Sequence, residues 1–143
     1  MSNPTSIAHL RAGVIGTGFI GPVHVEALLR LGVRVTAVCD ETSRAQALAA
    51  RFGIPEIFGD FDIAGLVRSP NVDVVHITSP NRYHHAQALQ AIEAGKACIC
   101  EKPLAMTTRE SAEIVAAAKR RKTVFAVNYN NRFSPAVLQM REL

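Results

Sequence analysis

Six residues, Gly16-Thr17-Gly18-Phe19-Ile20-Gly21, restrict the folds open to this chain more than any other stretch. The apolar segment Ala12-Gly13-Val14-Ile15 leads into them, and Pro22 to Leu29 leads out with helical composition. Strand, glycine turn and helix in that order are the context a dinucleotide-binding loop requires. Gly16 permits the tight turn, Gly18 lets a pyrophosphate approach the backbone, and Gly21 lets helix and strand pack closely. The helix N-terminus offers unpaired N–H groups and a partial positive charge to that anion. Pro22 has no N–H to donate and fits only in a first turn, which places the helix start. A glycine-rich turn without a ligand has the same pattern, so the remainder of the chain must decide.

Downstream, strand-like and helix-like segments alternate. Gly32 ends the first helix, and Val33 to Cys39 reads as a second strand that closes on Asp40. An acid about 20 residues beyond the glycine loop is what the dinucleotide fingerprint uses to bind the adenosine ribose hydroxyls. Asp40 could equally cap the helix that follows, but behind a valid glycine loop the ribose role is preferred. Its carboxylate would repel a 2′-phosphate and so favours NAD; the nearby Arg44 keeps NADP open. A helix over Ser43–Phe52 closes at Gly53, and Pro55–Phe58 is a short third strand. Asp60 is placed to cap a small helix over Phe61–Val67. Val72–Thr78 is a fourth strand, apolar and β-branched as expected between two helical layers, and its His76 reads as structural. Ser79-Pro80-Asn81 breaks that strand, and a helix from Tyr83 to Glu93 stops at Gly95. Ala97–Cys100 is a fifth strand ending in Glu101-Lys102-Pro103. Thr107 with Glu110 forms a capping box for a helix to Arg121. Val124–Val127 is a sixth strand, and a last helix is expected over Ser134–Leu143. Such alternation predicts an α/β, doubly wound, mostly parallel sheet: a Rossmann domain over residues 1–132, with 133–143 beginning a connecting helix.

Composition narrows the function classes. The 143 residues are 48% hydrophobic and 20% charged, with no apolar run near the ~18 residues of a membrane span. Residues 1–6 are polar and lack an apolar signal core, so a soluble cytoplasmic protein is expected. The net charge of +4 comes from dispersed residues apart from Lys119-Arg120-Arg121-Lys122, where cations complement a helix C-terminus. No aromatic platform accompanies them, which disfavours nucleic acid. Cys39, Cys98 and Cys100 lie in strand-like runs without further metal ligands at suitable spacing, so they read as buried free thiols and no metal is expected.

In a doubly wound sheet the ligand lies beyond the carboxyl ends of the strands. Those ends carry the glycine loop, Asp40, Ser79-Pro80-Asn81, Glu101-Lys102-Pro103 and Asn128-Tyr129-Asn130. The glycine loop with His24, Ala37-Val38-Cys39-Asp40, Ser79-Pro80-Asn81 with His84, Ala94-Gly95-Lys96, and Glu101-Lys102-Pro103-Leu104-Ala105 resemble the Gfo/Idh/MocA oxidoreductases, the glucose–fructose oxidoreductase and inositol dehydrogenase family. The resemblance runs from Leu10 to Leu143; Asn131 departs from it, standing where many members carry arginine beside Arg132.

The resemblance implies roles. Phe19 and Ile20 hold the pyrophosphate through backbone amides. Ser79, Pro80, Asn81 and His84 flank the nicotinamide half, and Glu101 contacts the nicotinamide ribose. Lys102 is the active-site lysine, able to polarise or deprotonate a substrate hydroxyl, its bond to Pro103 a candidate for cis. Arg132 is carried over as a cofactor contact. A bare surface lysine paired with Glu101 is the structural alternative for Lys102. The expected protein is an oxidoreductase moving hydride between NAD, or NADP, and a sugar or polyol, homo-oligomeric at full length. A non-catalytic dinucleotide-binding or interaction module is the second reading. The family's second, α+β domain, with substrate contacts and a proton-transfer site, is expected to lie outside these residues. The 143-residue chain alone is expected to bind NAD weakly and turn over little or nothing.

Overall fold

The computed structural model describes residues 7–142; the polar stretch 1–6 and Leu143, the last residue of the expected final helix, lie outside it. Six strands, β1 (Arg11–Ile15), β2 (Arg34–Cys39), β3 (Glu56–Phe58), β4 (Val74–Ile77), β5 (Ala97–Glu101) and β6 (Phe125–Asn128), form one sheet. Its order is β3-β2-β1-β4-β5-β6, and every pair is parallel. The strand order, not the chain direction, reverses between β1 and β4, which opens a crevice at the carboxyl ends of those two strands.

The helices are α1 (Ile20–Arg30), α2 (Thr42–Phe52), α3 (Ile63–Arg68), α4 (His84–Glu93), α5 (Thr108–Arg121) and α6 (Pro135–Met140). On one face of the sheet α1 and α2 cover Val14, Val35 and Val38 with Val25, Leu28 and Leu48. The other face packs Ile15, Val75 and Ile77 against Leu66, Ile92 and Ile114 from α3, α4 and α5. α1 buries Gly21, His24, Val25 and Leu28, the i, i+3, i+4, i+7 spacing of one helical stripe. The Thr107–Glu110 capping box forms as expected. Arg120 and Arg121 at the end of α5 both reach Glu93, at 3.1 and 2.9 Å, which accounts for the basic cluster. The three cysteines are buried and free. Burial pushes the thiols of Cys39 and Cys100 up to about 12 and raises that of Cys98 as well. Lys96, at the foot of β5, donates to the carbonyl oxygens of Ser69 and Val72 at 2.9 and 2.7 Å, closing the loop after α3.

The structure corrects several boundaries. Asp60 does not cap α3. Asp60 and Phe61 both have positive φ (49° and 57°), so the helix starts two residues later under Asp62, whose carboxylate accepts from the Gly65 amide. Asp60 instead accepts from the Thr42 hydroxyl at 2.8 Å. β4 is only Val74–Ile77, and the last helix only Pro135–Met140, preceded by a tight 3₁₀ turn over Asn130–Phe133. No helix among the described residues is long and apolar enough to cross a membrane.

Candidate functional site

The glycine loop is held from three sides. The Gly16 amide donates to the Cys39 carbonyl at 2.9 Å, and the Thr78 hydroxyl donates to the Gly16 carbonyl at 2.6 Å. A Cβ on Gly16, where φ is +93°, would collide with the backbone at Ser79, and a Cβ on Gly21 would overlap the Gly16 carbonyl oxygen. These two glycines are therefore required by packing. A Cβ on Gly18 would meet nothing within 4 Å. That is the side from which an anion can approach the backbone. α1 starts just beyond, with Phe19 at its N-cap, no side chain capping it and no acid in its first turn. Its orphan amides and positive dipole end face the loop uncompensated. The Phe19 ring is 89% exposed, so only its backbone belongs to this cradle.

Asp40 is 8% exposed at the tip of β2. One carboxylate oxygen accepts from the Thr17 amide at 2.6 Å and the Thr17 hydroxyl at 3.0 Å; the other accepts from the Glu41 amide at 2.7 Å. Glu41, not Asp40, caps α2. An ionised carboxylate has about four acceptor positions, so capacity remains for a ribose hydroxyl. A cleft of about 460 Å³ runs from the glycine loop past Asp40 and Arg44 to Ser79 and Pro80. Arg44 is largely exposed and reaches Glu41 at 3.9 Å. Phe61, Arg82 and Tyr83, which sequence reasoning did not single out, also line the cleft. Phe61 is 61% exposed, and its amide donates to the Asp40 carbonyl at 3.1 Å.

His84 does not flank the cleft with its ring. It has no exposed surface, with ring nitrogens 2.8 Å from the Pro103 carbonyl oxygen and 2.9 Å from that of Ser79. It braces the turns after β4 and β5 against each other from behind, which corrects the expected direct contact. Asn81 opens the 3₁₀ turn Asn81–Tyr83 at the rim. The structure also does not bring Arg132 into the cleft: it is exposed in the turn after β6, its guanidinium 5.8 Å from the Phe133 ring centre.

At the tip of β5, Glu101 is 8% exposed and its partners come from three elements. Oε1 accepts from His24 Nε2 at 3.0 Å and from Asn128 at 2.6 Å, and Oε2 accepts from the Lys102 amide at 3.2 Å. Burial pushes this carboxyl up, but the hydrogen bonds from Asn128, His24 and the Lys102 amide outweigh it and hold it below its usual range. Glu101 is thus committed to these donors and makes no ion pair with the Lys102 ammonium. Lys102 is exposed, and the Lys102–Pro103 bond is cis. His24 Nδ1 lies 2.9 Å from His76 Nδ1, with the rings edge-on at 82°. Burial and the neighbouring His24 lower the His76 pKa to about 4. No group of three or more metal-ligating side chains occurs among the described residues.

A family model described as "Oxidoreductase family, NAD-binding Rossmann fold" matches residues 10–129. The chain is 41% identical over 137 residues to inositol 2-dehydrogenase 1 of Saccharopolyspora erythraea, covering 92% of this chain and 40% of that protein. It is 36% identical over 145 residues to D-glucoside 3-dehydrogenase of Escherichia coli, covering 99% and 41%. The crystal structure of an NAD binding oxidoreductase from Klebsiella pneumoniae superimposes with a TM-score of 0.81 at 38% identity, covering 93% of this chain and 38% of that one. The chain thus spans about two-fifths of the length of these relatives.

Proposed function

The chain belongs to the Gfo/Idh/MocA oxidoreductase family as its NAD-binding Rossmann domain, and from that premise we propose that it serves an enzyme that moves hydride between a nicotinamide cofactor and a carbon of a sugar or polyol. The observation that carries the reading is the continuous cleft from the glycine loop through Asp40 to Ser79-Pro80, with an uncapped helix N-terminus at its centre. The relatives' names, an inositol dehydrogenase and a glucoside dehydrogenase, support the substrate class.

The chain's residues have separable tasks. The amides at the start of α1, Phe19 and Ile20 among them, take the pyrophosphate, with Gly18 leaving the approach clear. Asp40 accepts from the adenosine ribose hydroxyls, and its charge disfavours a 2′-phosphate that Arg44 alone would have to offset. Ser79, Pro80 and Asn81 border the nicotinamide half. Bound NAD supplies hydride acceptance and donation at its nicotinamide ring. Lys102 holds or takes the proton of the substrate hydroxyl, a role open to it because no carboxylate partner engages its ammonium among the described residues.

Calorimetric titration with NAD and NADP tests the cofactor assignment. NAD is expected to bind more tightly, and Asp40→Ala to reduce the difference; tighter binding of NADP to the unaltered chain would overturn it. For Lys102, substitution by Met in a full-length form is expected to abolish polyol oxidation while NAD still binds. Surviving turnover would remove the lysine from the chemistry.

A further inference from the structure

Beneath the Glu101-Lys102-Pro103 turn lies a buried polar chain, His76–His24–Glu101–Asn128, drawn from β4, α1, β5 and β6. Its members border a second cavity, of about 550 Å³, whose other lining is apolar, Val23, Val74 and Ile99 among it, except for Asn130. In such surroundings an unsatisfied polar atom is costly, so the proton positions are constrained. Glu101 Oε1 is an acceptor, which requires His24 to carry hydrogen on Nε2. With that hydrogen on Nε2, the neutral ring's Nδ1 is an acceptor, so His76 Nδ1–H donates to His24 Nδ1 across the 2.9 Å contact. His76 therefore acts on the far side of His24, fixing its plane, while Nε2 fixes the carboxylate. Asn128 donates to the same Oε1 at 2.6 Å and leaves Oε2 to the Lys102 amide.

His24 is the fifth residue of α1, one turn after the loop assigned to the pyrophosphate. We propose that His24 is a positioning residue: its Nε2–H ties Glu101, and through it the Lys102 turn, to the helix that receives the pyrophosphate, so that one rigid element places both ends of the dinucleotide. The role rests on the reading of the crevice as a dinucleotide site. It differs from plain core packing in one respect. Packing would support the whole cleft, whereas this contact supports only the half beyond the pyrophosphate.

Two nucleotides separate these cases. ADP carries the adenosine and pyrophosphate; NAD adds the nicotinamide riboside. Titrations of the 143-residue chain, followed by NMR shifts, are expected to show NAD affinity falling about tenfold in His24→Ala, the size of one charge-assisted hydrogen bond, with ADP affinity unchanged. The Lys102 amide resonance is expected to move in the same variant. His24→Gln, which can still donate to Glu101, is expected to restore both, and it provides the test if the alanine variant does not fold. Equal losses for NAD and ADP, or no loss for either, would overturn the role. A Lys102 amide that does not respond would do the same. If the unaltered chain bound neither nucleotide, the dinucleotide reading itself would fall, and the positioning role with it.

Discussion

At one end of the crevice, a carboxylate at the tip of β2 gathers Thr17 and Glu41, neighbours within a single strand–helix–strand unit. At the other, a carboxylate at the tip of β5 gathers donors from α1 and β6, positions 77 and 27 residues away in the chain. Both acids are equally buried, Glu101 as the last residue of β5 and Asp40 as the residue just after β2. The Asp40 end is a local motif that folds with its own loop. The Glu101 end exists only once the order β1-β4-β5-β6 has formed, because that order brings α1 over β5 and sets Glu101 beside Asn128 in register.

The largest test of this contrast is Gly21→Ala. A methyl group there overlaps the Gly16 carbonyl oxygen, and both partners are backbone. A loss of about 3 kcal/mol or more in chemical unfolding is expected, with nucleotide binding lost along with the loop. Retention of NAD binding would show that the loop tolerates displacement from α1.

The Glu101 end is expected to respond to pH. His76 has its pKa lowered to about 4 by burial and by His24, against about 6.5 when unfolded. The unfolded chain takes up that proton first, so stability is full above pH 6.5 and falls as the pH drops toward 4, by about 2–3 kcal/mol. Glu101, held below its usual range, keeps its contribution down to about pH 4.5 and loses it as the pH falls further. Denaturation midpoints between pH 7 and pH 4 measure this, and His76→Phe is expected to flatten the upper part of the curve. An unchanged slope would mean that His76 titrates normally.

Thr17→Val addresses the Asp40 end alone. It removes the hydroxyl bond to the carboxylate and keeps the amide bond, so about 1 kcal/mol of stability is expected to go in chemical unfolding at pH 7. Smallest of all is Lys102→Met, whose effect on unfolding is expected to stay within about 0.5 kcal/mol because the side chain is exposed. A large destabilisation would mark Lys102 as structural after all.

The same contrast explains what was legible in the sequence. Gly16 to Gly21, Asp40 and the Thr107 capping box are short-range patterns whose partners lie within one unit, and the alternation of elements imposes the sheet. His76 reads as an isolated core histidine because its partner, His24, is 52 residues away on another element. A polar ring inside a β-branched strand was itself a sign that a buried partner existed. For His84, family spacing indicates that a histidine stands there, not that both ring nitrogens face backbone carbonyls. The Asp60-Phe61 turn is not legible in the sequence, because consecutive non-glycine residues with positive φ leave no compositional trace.

Strand β5 also carries a lysine at each end. Lys96 at its foot gives its ammonium to two backbone carbonyls, and Lys102 at its head stands in solvent, roughly 20 Å away by strand rise. An amine-directed reagent would therefore meet two different chemistries along one strand. Acylation at the head would cap a free amine and leave the scaffold whole, while acylation at the foot would strand two carbonyls and unpin the loop behind α3. A labelling pattern read by mass would thus report separately on an intact surface and on a protein already opening from below.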